Sequence, residues 1–233
     1  MPSHLLAVTF EVGAPARVAQ FWAELLGRAV APSYDGALLP GSATQVGLGF
    51  ARARSERTGR NRLHLHLTSD APDDQSHTVE AALRLGARHA DVGQLPDEGH
   101  VVLADPGGNE FCVIGHGSSF LAGTGFLGEV ACDGGREVGL FWGAALGWPL
   151  VWDQDQETAI QSAAGGTKLA WGGPSPRTAP ERQRFDLVLD DGDLAAEVAR
   201  LVGLGASLVG QDRAGAILTD PGGFALRLQP AED

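Results

Sequence analysis

The chain has 233 residues, of which 43% are hydrophobic and 20% are charged, and its net charge is −12. This composition is typical of a globular protein with a buried core and excludes a disordered chain. Because 29 acidic side chains outnumber 17 basic ones, we expect no basic surface, which excludes a protein that binds the phosphate backbone of nucleic acids.

Membrane and secretory signals are missing from the sequence pattern. No apolar run approaches the length of a membrane-spanning helix, and the N-terminal residues lack the basic and apolar regions of a secretory signal. The two cysteines, Cys112 and Cys132, stand at non-equivalent places and predict no disulfide framework. The sequence therefore predicts a cytoplasmic protein without a membrane or nucleic-acid partner.

The first quarter of the chain predicts a strand, a helix and three short strands. Alternating apolar residues predict the first strand over 5–12, and an apolar stripe predicts a helix that begins at Pro15 and ends at Leu26. Gly27 follows, at the position where glycine commonly ends a helix. The short strands are expected over 28–31, 37–39 and 45–53.

The second quarter repeats this order of elements. An arginine-rich stretch over 52–62 precedes a strand over 63–68 and a helix that ends near Leu85. We interpret this stretch as a solvated loop, with a cap over an anionic ligand as the alternative. Two short strands follow, and then a hairpin whose turn is Asp105-Pro106-Gly107-Gly108-Asn109, because proline presets one turn angle and glycine tolerates positive φ.

The second half predicts the same elements after a linker over 115–125. Its strands and helices are expected over 127–132, 136–146, 150–152, 157–162, 168–171, 185–189, 194–204 and 207–210, followed by a hairpin whose turn begins at Asp220. A glycine- and proline-rich stretch over 172–182 predicts a loop between them.

Matched motifs indicate an internal repeat. Phe21-Trp22 corresponds to Phe141-Trp142, the turn at Asp105 corresponds to that at Asp220, and matched residues lie 115 to 120 positions apart. Motifs that recur in one order at nearly one offset indicate two copies of one domain, here residues 1–118 and 123–233. We expect the two helical tryptophans in the core, and the turn residues Asp105, Asn109 and Asp220 to stabilise their turns.

This pattern of four βαβββ modules, with Phe-Trp-x-x-x-Leu-Gly and Asp-Pro-x-Gly-Asn-x-Phe motifs, resembles the vicinal oxygen chelate superfamily. That superfamily covers glyoxalase I, extradiol dioxygenases, fosfomycin-resistance enzymes and bleomycin-resistance proteins. The stretches 61–65 and 105–113 resemble its glyoxalase-like domain subgroup, which is common in actinobacteria. The resemblance implies an α+β fold of two tandem domains, each of paired βαβββ modules that form a cupped mixed sheet around a ligand.

The resemblance also implies positions for metal ligands. They fall near Ala7 and Leu127 on the first strands of the two halves, and on Cys112 and Arg227 on the last strands. The remaining positions fall on His64 and Arg184, on or beside the strands predicted over 63–68 and 185–189. Aliphatic and arginine side chains do not bind cations, so the second half lacks a metal site and the first retains at most a histidine and a thiol. The resemblance therefore implies that no metal cofactor is bound.

His64 and His66 are the leading candidate site residues. Because they lie two positions apart on a predicted strand, both face the same side of the sheet. They could bind Fe, Mn, Ni or Zn with a third donor from His4, Cys112 or Glu110, or contact a ligand without a metal. His64 could also act as a general base, and a purely structural role is the remaining alternative. Cys112 itself is interpreted as packing in a buried strand or as a ligand contact.

Aromatic and arginine side chains of the second half are further candidates for ligand contact. Trp148, Trp152 and Trp171 are expected on or beside sheet strands, where they would line a cup for a planar or apolar ligand. Arg184 and Arg227 could face the same cup and pair with a carboxylate or phenolate, or form surface salt bridges instead.

From the resemblance and the missing ligand residues, we predict a protein that binds a small organic molecule without a metal, with sequestration of a toxic or antibiotic compound as one role. The alternatives are a metal-dependent lyase, isomerase or dioxygenase that uses His64 and His66, a cofactorless enzyme with His64 as base, and a structural or interaction protein. The tandem repeat is expected to act as an internal pseudo-dimer, either as a monomer or as a homodimer.

Overall fold

The computed structural model describes residues 3–33, 35–53, 59–95, 98–173, 182–190, 192–212 and 214–231. In these residues the order strand, helix, strand, strand, strand occurs four times, giving 16 strands and four helices. The α+β fold predicted from the sequence is confirmed. Among the described residues, no helix is long and apolar enough to span a membrane.

Each repeat of this order is called a module, numbered one to four along the chain. The first comprises β1, α1, β2, β3 and β4, at Ser3–Val12, Pro15–Leu26, Ala31–Ser33, Gly36–Leu39 and Leu48–Arg52. The second comprises β5, α2, β6, β7 and β8, at Leu63–Leu67, Asp74–Arg84, Arg88–His89, His100–Ala104 and Glu110–Ile114. The third comprises β9, α3, β10, β11 and β12, at Leu127–Asp133, Arg136–Leu146, Leu150–Gln154, Glu157–Gln161 and Lys168–Gly172. The fourth comprises β13, α4, β14, β15 and β16, at Gln183–Leu189, Leu194–Leu204, Ser207–Asp212, Gly215–Thr219 and Ala225–Pro230.

The predicted elements agree with these bounds to within a few residues. Helix α1 ends at Leu26 with Gly27 in the left-handed conformation, as the sequence predicts. The arginine-rich stretch over 52–62 and the loop over 172–182 lie partly outside the described residues, at 54–58 and 174–181.

Two eight-stranded mixed sheets organise the fold. The first sheet has the order β14-β15-β16-β13-β1-β4-β3-β2, and the second has the order β10-β11-β12-β9-β5-β8-β7-β6. The first sheet thus joins modules one and four, and the second joins modules two and three. Each sheet takes one module from each half, so the sheets do not follow the sequence division at the linker.

Antiparallel pairing between central strands joins the modules within each sheet. Strand β1 pairs with β13 in the first sheet, and β5 pairs with β9 in the second. Each central strand also runs parallel to the last strand of its own module. The middle of each sheet is therefore built from two strands that are distant in sequence.

The hydrophobic core lies between the sheets and is filled by aromatic residues of the helices. Trp22 of α1 packs against Phe111 of the second sheet at a centroid distance of 4.9 Å. Trp142 of α3 packs against Phe185 of the first sheet at 4.4 Å. Both tryptophans are fully buried, which confirms their predicted place in the core. The face of each sheet that points away from this core, called the concave face below, carries the polar residues of the central strands.

The two repeated turns each hold a buried carboxylate. Asp105 accepts hydrogen bonds from the backbone N–H groups of Gly107 and Asn109, at 2.8 and 2.9 Å, and from the Trp22 indole N–H at 3.0 Å. Asp220 likewise accepts from the Trp142 indole N–H at 2.9 Å. The predicted role in the turn is confirmed, and the turn is in addition bonded to the helix of the preceding module.

Candidate functional site

Strand β5 places two histidines on the concave face of the second sheet. Leu63, Leu65 and Leu67 alternate with them and are completely buried in the core. Because side chains alternate across a strand, His64 and His66 project to the opposite face, as the sequence predicts. The core packing of the leucines thus determines the direction of the histidines.

The register of the neighbouring strands aligns four polar residues in one row across the sheet. Cys112 of β8 and Glu129 of β9 are the partners of His66 on its two sides. Lys168 of β12 is in turn the partner of Glu129. The row Cys112, His66, Glu129 and Lys168 therefore crosses the middle of the concave face.

His66 forms a close pair with Glu129. Its Nδ1 lies 2.7 Å from the Glu129 Oε2, and the two side chains are 21% and 10% exposed. Burial opposes the charged imidazole, but the neighbouring Cys112 and the hydrogen bond and charge of Glu129 outweigh it and raise the pKa of His66 to about 10. At neutral pH the pair is therefore an imidazolium and a carboxylate.

His64 has the opposite protonation state. Burial and the positive charge of His66 lower its pKa, against weaker opposing effects of Asp133 and Glu110. His64 is therefore a neutral imidazole at pH 7, able to accept a proton or a hydrogen bond. Two histidines on one strand whose pKa values are pushed in opposite directions are typical of functional sites.

We expect the free energy of unfolding to fall as the pH rises from about 7 to about 10. The pKa of His66 is 6.5 without its partners and about 10 in the folded protein. The charged imidazole therefore stabilises the fold fully below about pH 6.5, and this stabilisation is lost as the pH rises through about 10. Urea unfolding at several pH values measures this fall. In Glu129→Gln the ion pair is absent, so the fall should be smaller than in the wild type, although Cys112, His64 and Lys168 remain near His66. Parallel curves for the two proteins would contradict the assignment of the pair.

A cavity of about 460 Å³ opens over this part of the concave face. Its floor includes His64, His66 and Glu129, and its walls include Phe120, Trp152 and Trp171. The volume lies within the usual range of small-molecule sites. The site thus combines aromatic walls with a charged, hydrogen-bonding floor.

Phe120 enters this wall from the linker between the halves. Its ring meets that of Trp152 edge to face at 5.8 Å, and the Lys168 ammonium lies 4.2 Å from the Phe120 centroid. Lys168 also donates a hydrogen bond to the Phe120 backbone carbonyl. Partial burial lowers the pKa of Lys168, and the Glu129 charge opposes this shift. The stretch predicted only as a linker therefore contributes to the cavity.

The concave face of the first sheet carries a different set of residues. Arg184 donates to Asp186 and to Asp35, both at 2.7 Å, and lies 3.9 Å from Glu11. Arg227 lies 3.6 Å from the same Asp35 carboxylate. Both arginines, with Glu11 and Asp35, line a cavity of about 610 Å³, where they are already paired with carboxylates of the chain itself.

The structure separates several residues that the sequence places together. Trp152 and Trp171 line the cavity of the second sheet, but Arg184 and Arg227 lie on the first sheet, so the expectation of one shared cup is wrong. The reason is that modules three and four of the same half belong to different sheets. Trp148 lines a third cavity, of about 290 Å³, which contains neither His64 nor His66.

Two proposed third metal donors lie in different places: His4 is on the first sheet, whereas Cys112 is the strand neighbour of His66. His4 pairs with strand β13 of the first sheet and lies 2.5 Å from the Asp190 carboxylate, so it does not reach His64 or His66. Cys112, interpreted from the sequence as buried packing or as a ligand contact, is half-buried and lies in the row beside His66.

Glu129 is the site residue that sequence reasoning missed. The first-strand position of the second half falls on Glu129 rather than on Leu127, because Glu129 opposes His66 as Ala7 opposes Asp186. Counting back from the Phe-Trp motif misplaces it, since Glu129 lies 12 positions before Phe141 whereas Ala7 lies 14 positions before Phe21. The available signal was a lone glutamate inside an apolar strand.

A divalent metal does not fit the residues of either concave face. Among the described residues, no group of three or more His, Cys, Asp and Glu side chains is arranged to hold a metal ion. In the second sheet, Lys168 brings a positive charge into the row that holds His66 and Glu129. In the first sheet, two guanidinium groups occupy the corresponding place. A cation would meet positive charges on both faces.

The chain is similar to a known domain family and to solved structures. A family model described as "Glyoxalase-like domain" matches residues 7–114 and 129–228. The crystal structure of glyoxalase I from Zea mays is similar, with a TM-score of 0.67 and 16% identity over 98% of this chain and 92% of that chain. A putative dioxygenase from Bacillus subtilis subsp. subtilis str. 168 has a TM-score of 0.62 and 13% identity over 99% of this chain and 86% of that chain. At these identities the two structures show a shared fold alone.

A comparison with curated protein sequences finds no match. The family model, however, covers both halves of the chain, and the order of elements in each half is the paired βαβββ arrangement. The chain therefore belongs to the glyoxalase-like domain family of the vicinal oxygen chelate superfamily, with two copies of the domain in tandem.

Proposed function

We propose that the cavity on the concave face of the second sheet binds a small organic molecule without a metal ion, and that the protein sequesters a toxic or antibiotic compound in this way. The observation that supports this proposal is the contrast between the two concave faces. In the first sheet the arginines are occupied by Asp35 and Asp186, whereas in the second an aromatic-walled cavity lies over His64 and His66.

The chemistry of the walls suggests a planar ligand with at least one polar group. Trp152 is 40% exposed and contacts Phe120 at the mouth of the cavity, so a flat apolar body can pack against these rings. His64, as a neutral imidazole, can accept a hydrogen bond from a ligand hydroxyl, and the His66 imidazolium can donate one.

We expect Trp152→Ala to weaken ligand binding by about tenfold or more, because exposed tryptophans at binding sites contribute much of the affinity. Isothermal titration calorimetry with aromatic phenols, aromatic carboxylates and planar polycyclic antibiotics measures this loss. Val151→Ala is the matched control, since Val151 is exposed on the same strand and does not line the cavity.

The same titrations test metal independence. Binding should be unchanged by a chelator and by added Fe, Mn, Ni or Zn salts. A metal requirement, or the absence of binding across the whole panel, would overturn the proposal.

A second candidate function is cofactorless acid–base catalysis in the same cavity. It is favoured by the opposite pKa shifts of His64 and His66, which leave one neutral base beside one charged acid. Chemical conversion of a bound compound, lost in His64→Ala while that variant still folds and binds, would favour this candidate over sequestration.

A further inference from the structure

The register of the second sheet places small residues in the middle of the cavity floor. His64 pairs with Ala131 of β9, Ala131 pairs with Ala170 of β12, and Ala170 pairs with Ala159 of β11, whose partner on β10 is Trp152. His64 and Trp152, which both line the cavity, are therefore the two ends of one row whose middle consists of alanines. This row of five residues is called the alanine row below.

The alanine row forms a shallow channel that crosses the strands. Neighbouring strands lie about 4.8 Å apart, so the successive strands from His64 to Trp152 span roughly 19 Å along the sheet. Ala131 and Ala170 both line the cavity, and their methyl groups rise little above the backbone. A flat molecule longer than a single aromatic ring can therefore lie along this row, with one end near His64 and the other against the Trp152 ring.

Carboxylates border the alanine row on both sides. Along β9, Glu129, Ala131 and Asp133 alternate with Val130 and Cys132, which are buried in the core. Because side chains alternate across a strand, the first three face the cavity, and all three line it. Since Ala131 belongs to the row, Glu129 lies on one side of the row and Asp133 lies on the other.

Gly172 makes room for a third carboxylate over the floor. It is the strand partner of Asp133 and lies two residues after Ala170 on β12, so it belongs to the same face. A Cβ atom at Gly172 would lie only 3.1 Å from Cγ and Cδ of Glu157. The missing side chain thus allows Glu157 to fold across Gly172, and Glu157 and Asp133 occupy the same border of the alanine row.

The charge of this lining favours hydrogen-bond donors over anions. Carboxylates accept hydrogen bonds and donate none. Among the described residues that line the cavity, three carry carboxylates and none is lysine or arginine. His66 is paired with Glu129, and the Lys168 ammonium is directed to the carbonyl and ring of Phe120. The net charge of −12 on the whole chain adds to the repulsion of an anionic ligand.

We propose that the cavity selects elongated, fused-ring aromatic compounds whose polar groups donate hydrogen bonds, such as neutral phenols, and that it rejects aromatic carboxylates. The alanine row sets the length and flatness of the ligand, and Asp133 and Glu157 set its charge. A ligand carboxylate in the row would lie against these two side chains, and such like-charge contacts exclude a class of ligand even where its rings fit. This inference rests on the proposed function, since it concerns the same cavity, and it adds the class of compound that the cavity takes.

The first test compares three probes on the wild-type protein by isothermal titration calorimetry at neutral pH. The probes are 2-naphthol, a neutral phenol with two fused rings, 2-naphthoate, which has the same rings with a carboxylate, and phenol, which has one ring. We expect 2-naphthol to bind about tenfold or more tightly than 2-naphthoate, because of the like charges in the cavity. It should also bind about tenfold or more tightly than phenol, because its second ring buries further apolar area along the row. These comparisons require no variant to fold.

Variants then separate space from charge. Ala170→Leu fills the middle of the alanine row, so it should weaken the binding of 2-naphthol by about tenfold or more and that of phenol by less. Glu157→Gln removes a like charge and keeps the size of the side chain, so it should strengthen the binding of 2-naphthoate by about threefold or more. Asp155→Asn is the matched control, because it removes the same charge from the exposed turn between β10 and β11, and Asp155 does not line the cavity.

The inference is overturned if the wild type binds 2-naphthoate or phenol as tightly as 2-naphthol, or if folded Ala170→Leu binds 2-naphthol as tightly as the wild type. It is also overturned if Asp155→Asn strengthens the binding of 2-naphthoate as much as Glu157→Gln does. When planar polycyclic antibiotics bind the cavity but 2-naphthol does not, only this inference fails and the proposed function stands. The absence of binding across the whole panel overturns both.

Discussion

Asp105→Ala is expected to lower the free energy of unfolding by about 3–5 kcal/mol, because it leaves several buried donors without an acceptor. Asp105 is 2% exposed and accepts from the Trp22 indole and from the backbone and side-chain amides of Asn109, as well as from the Gly107 N–H. Each unsatisfied donor in such a site costs about 1–3 kcal/mol. Thermal and urea unfolding measure the loss, and for a chain of this length the melting temperature should fall by about 10 °C.

The matched control is Asp212→Ala. Asp212 also accepts a backbone hydrogen bond within a turn, from Ala214 at 2.8 Å, but it is exposed, so its removal should cost less than about 1 kcal/mol. Asp220→Ala should cost less than Asp105→Ala, because the residue that corresponds to Asn109 is Phe224, which has no side-chain donor. A loss at Asp105 no larger than that at Asp212 would show that the buried carboxylate does not hold the turn.

This bond matters for the architecture because it joins the two sheets. Trp22 belongs to module one, whose strands lie in the first sheet, whereas Asp105 precedes β8 of the second sheet. The same relation holds between Trp142 and Asp220, with the sheets exchanged. Within each half, the two modules are thus linked by a helix-to-turn hydrogen bond and by core packing, and not by a shared sheet.

Local features of the fold follow directly from the sequence. Alternation in β5 predicts that His64 and His66 share a face, and the glycine after Leu26 predicts the end of α1. The repeat of the Phe-Trp and Asp-Pro motifs predicts four modules. These features depend on residues close together in the chain, where side-chain periodicity and backbone preferences decide the structure.

The partners of the central strands depend instead on contacts between distant residues. Modules one and two carry patterns that are compatible with pairing to each other, yet β1 pairs with β13 and β5 pairs with β9. A register shift between His66 and Leu67 opposite β9 adds a further offset that periodicity does not predict. The contact of Glu129 with His66 therefore could not be predicted, in addition to the misplacement of Glu129 by counting from the Phe-Trp motif.

The same limit applies to the candidate site as a whole. The sequence identifies His64, His66, Cys112 and Trp152 as separate candidates, but their grouping depends on which strands pair and in which register. Phe120 had no signal beyond its place in a linker, and it reaches the cavity wall only through the path of that linker past Trp152. Conversely, Arg184 and Arg227 are residues of the type that binds anions, but they form ion pairs with a carboxylate of the first sheet.

The last expected result concerns the two halves expressed separately. Residues 1–118 alone should not form a stable monomer, because β1 and β5 would each lose the antiparallel partner that the other half supplies. Each would expose a long edge from the middle of a sheet, which favours unfolding or self-association. Circular dichroism, urea unfolding and light scattering on the isolated half measure this loss, and adding residues 123–233 should restore a cooperative, native-like complex.

The matched control keeps both halves but cuts the connection between them. A protease site inserted at Gly117, an open position of the linker with positive φ, allows the folded chain to be cleaved in place. The cleaved protein should remain a compact pair of fragments, since both sheets already combine strands from the two halves. A monomeric fragment 1–118 that unfolds in one cooperative transition would contradict this, and would mean that modules one and two can pair with each other. If the cleaved pair is stable and the lone half is not, the fold is held together by the pairing of β1 with β13 and of β5 with β9.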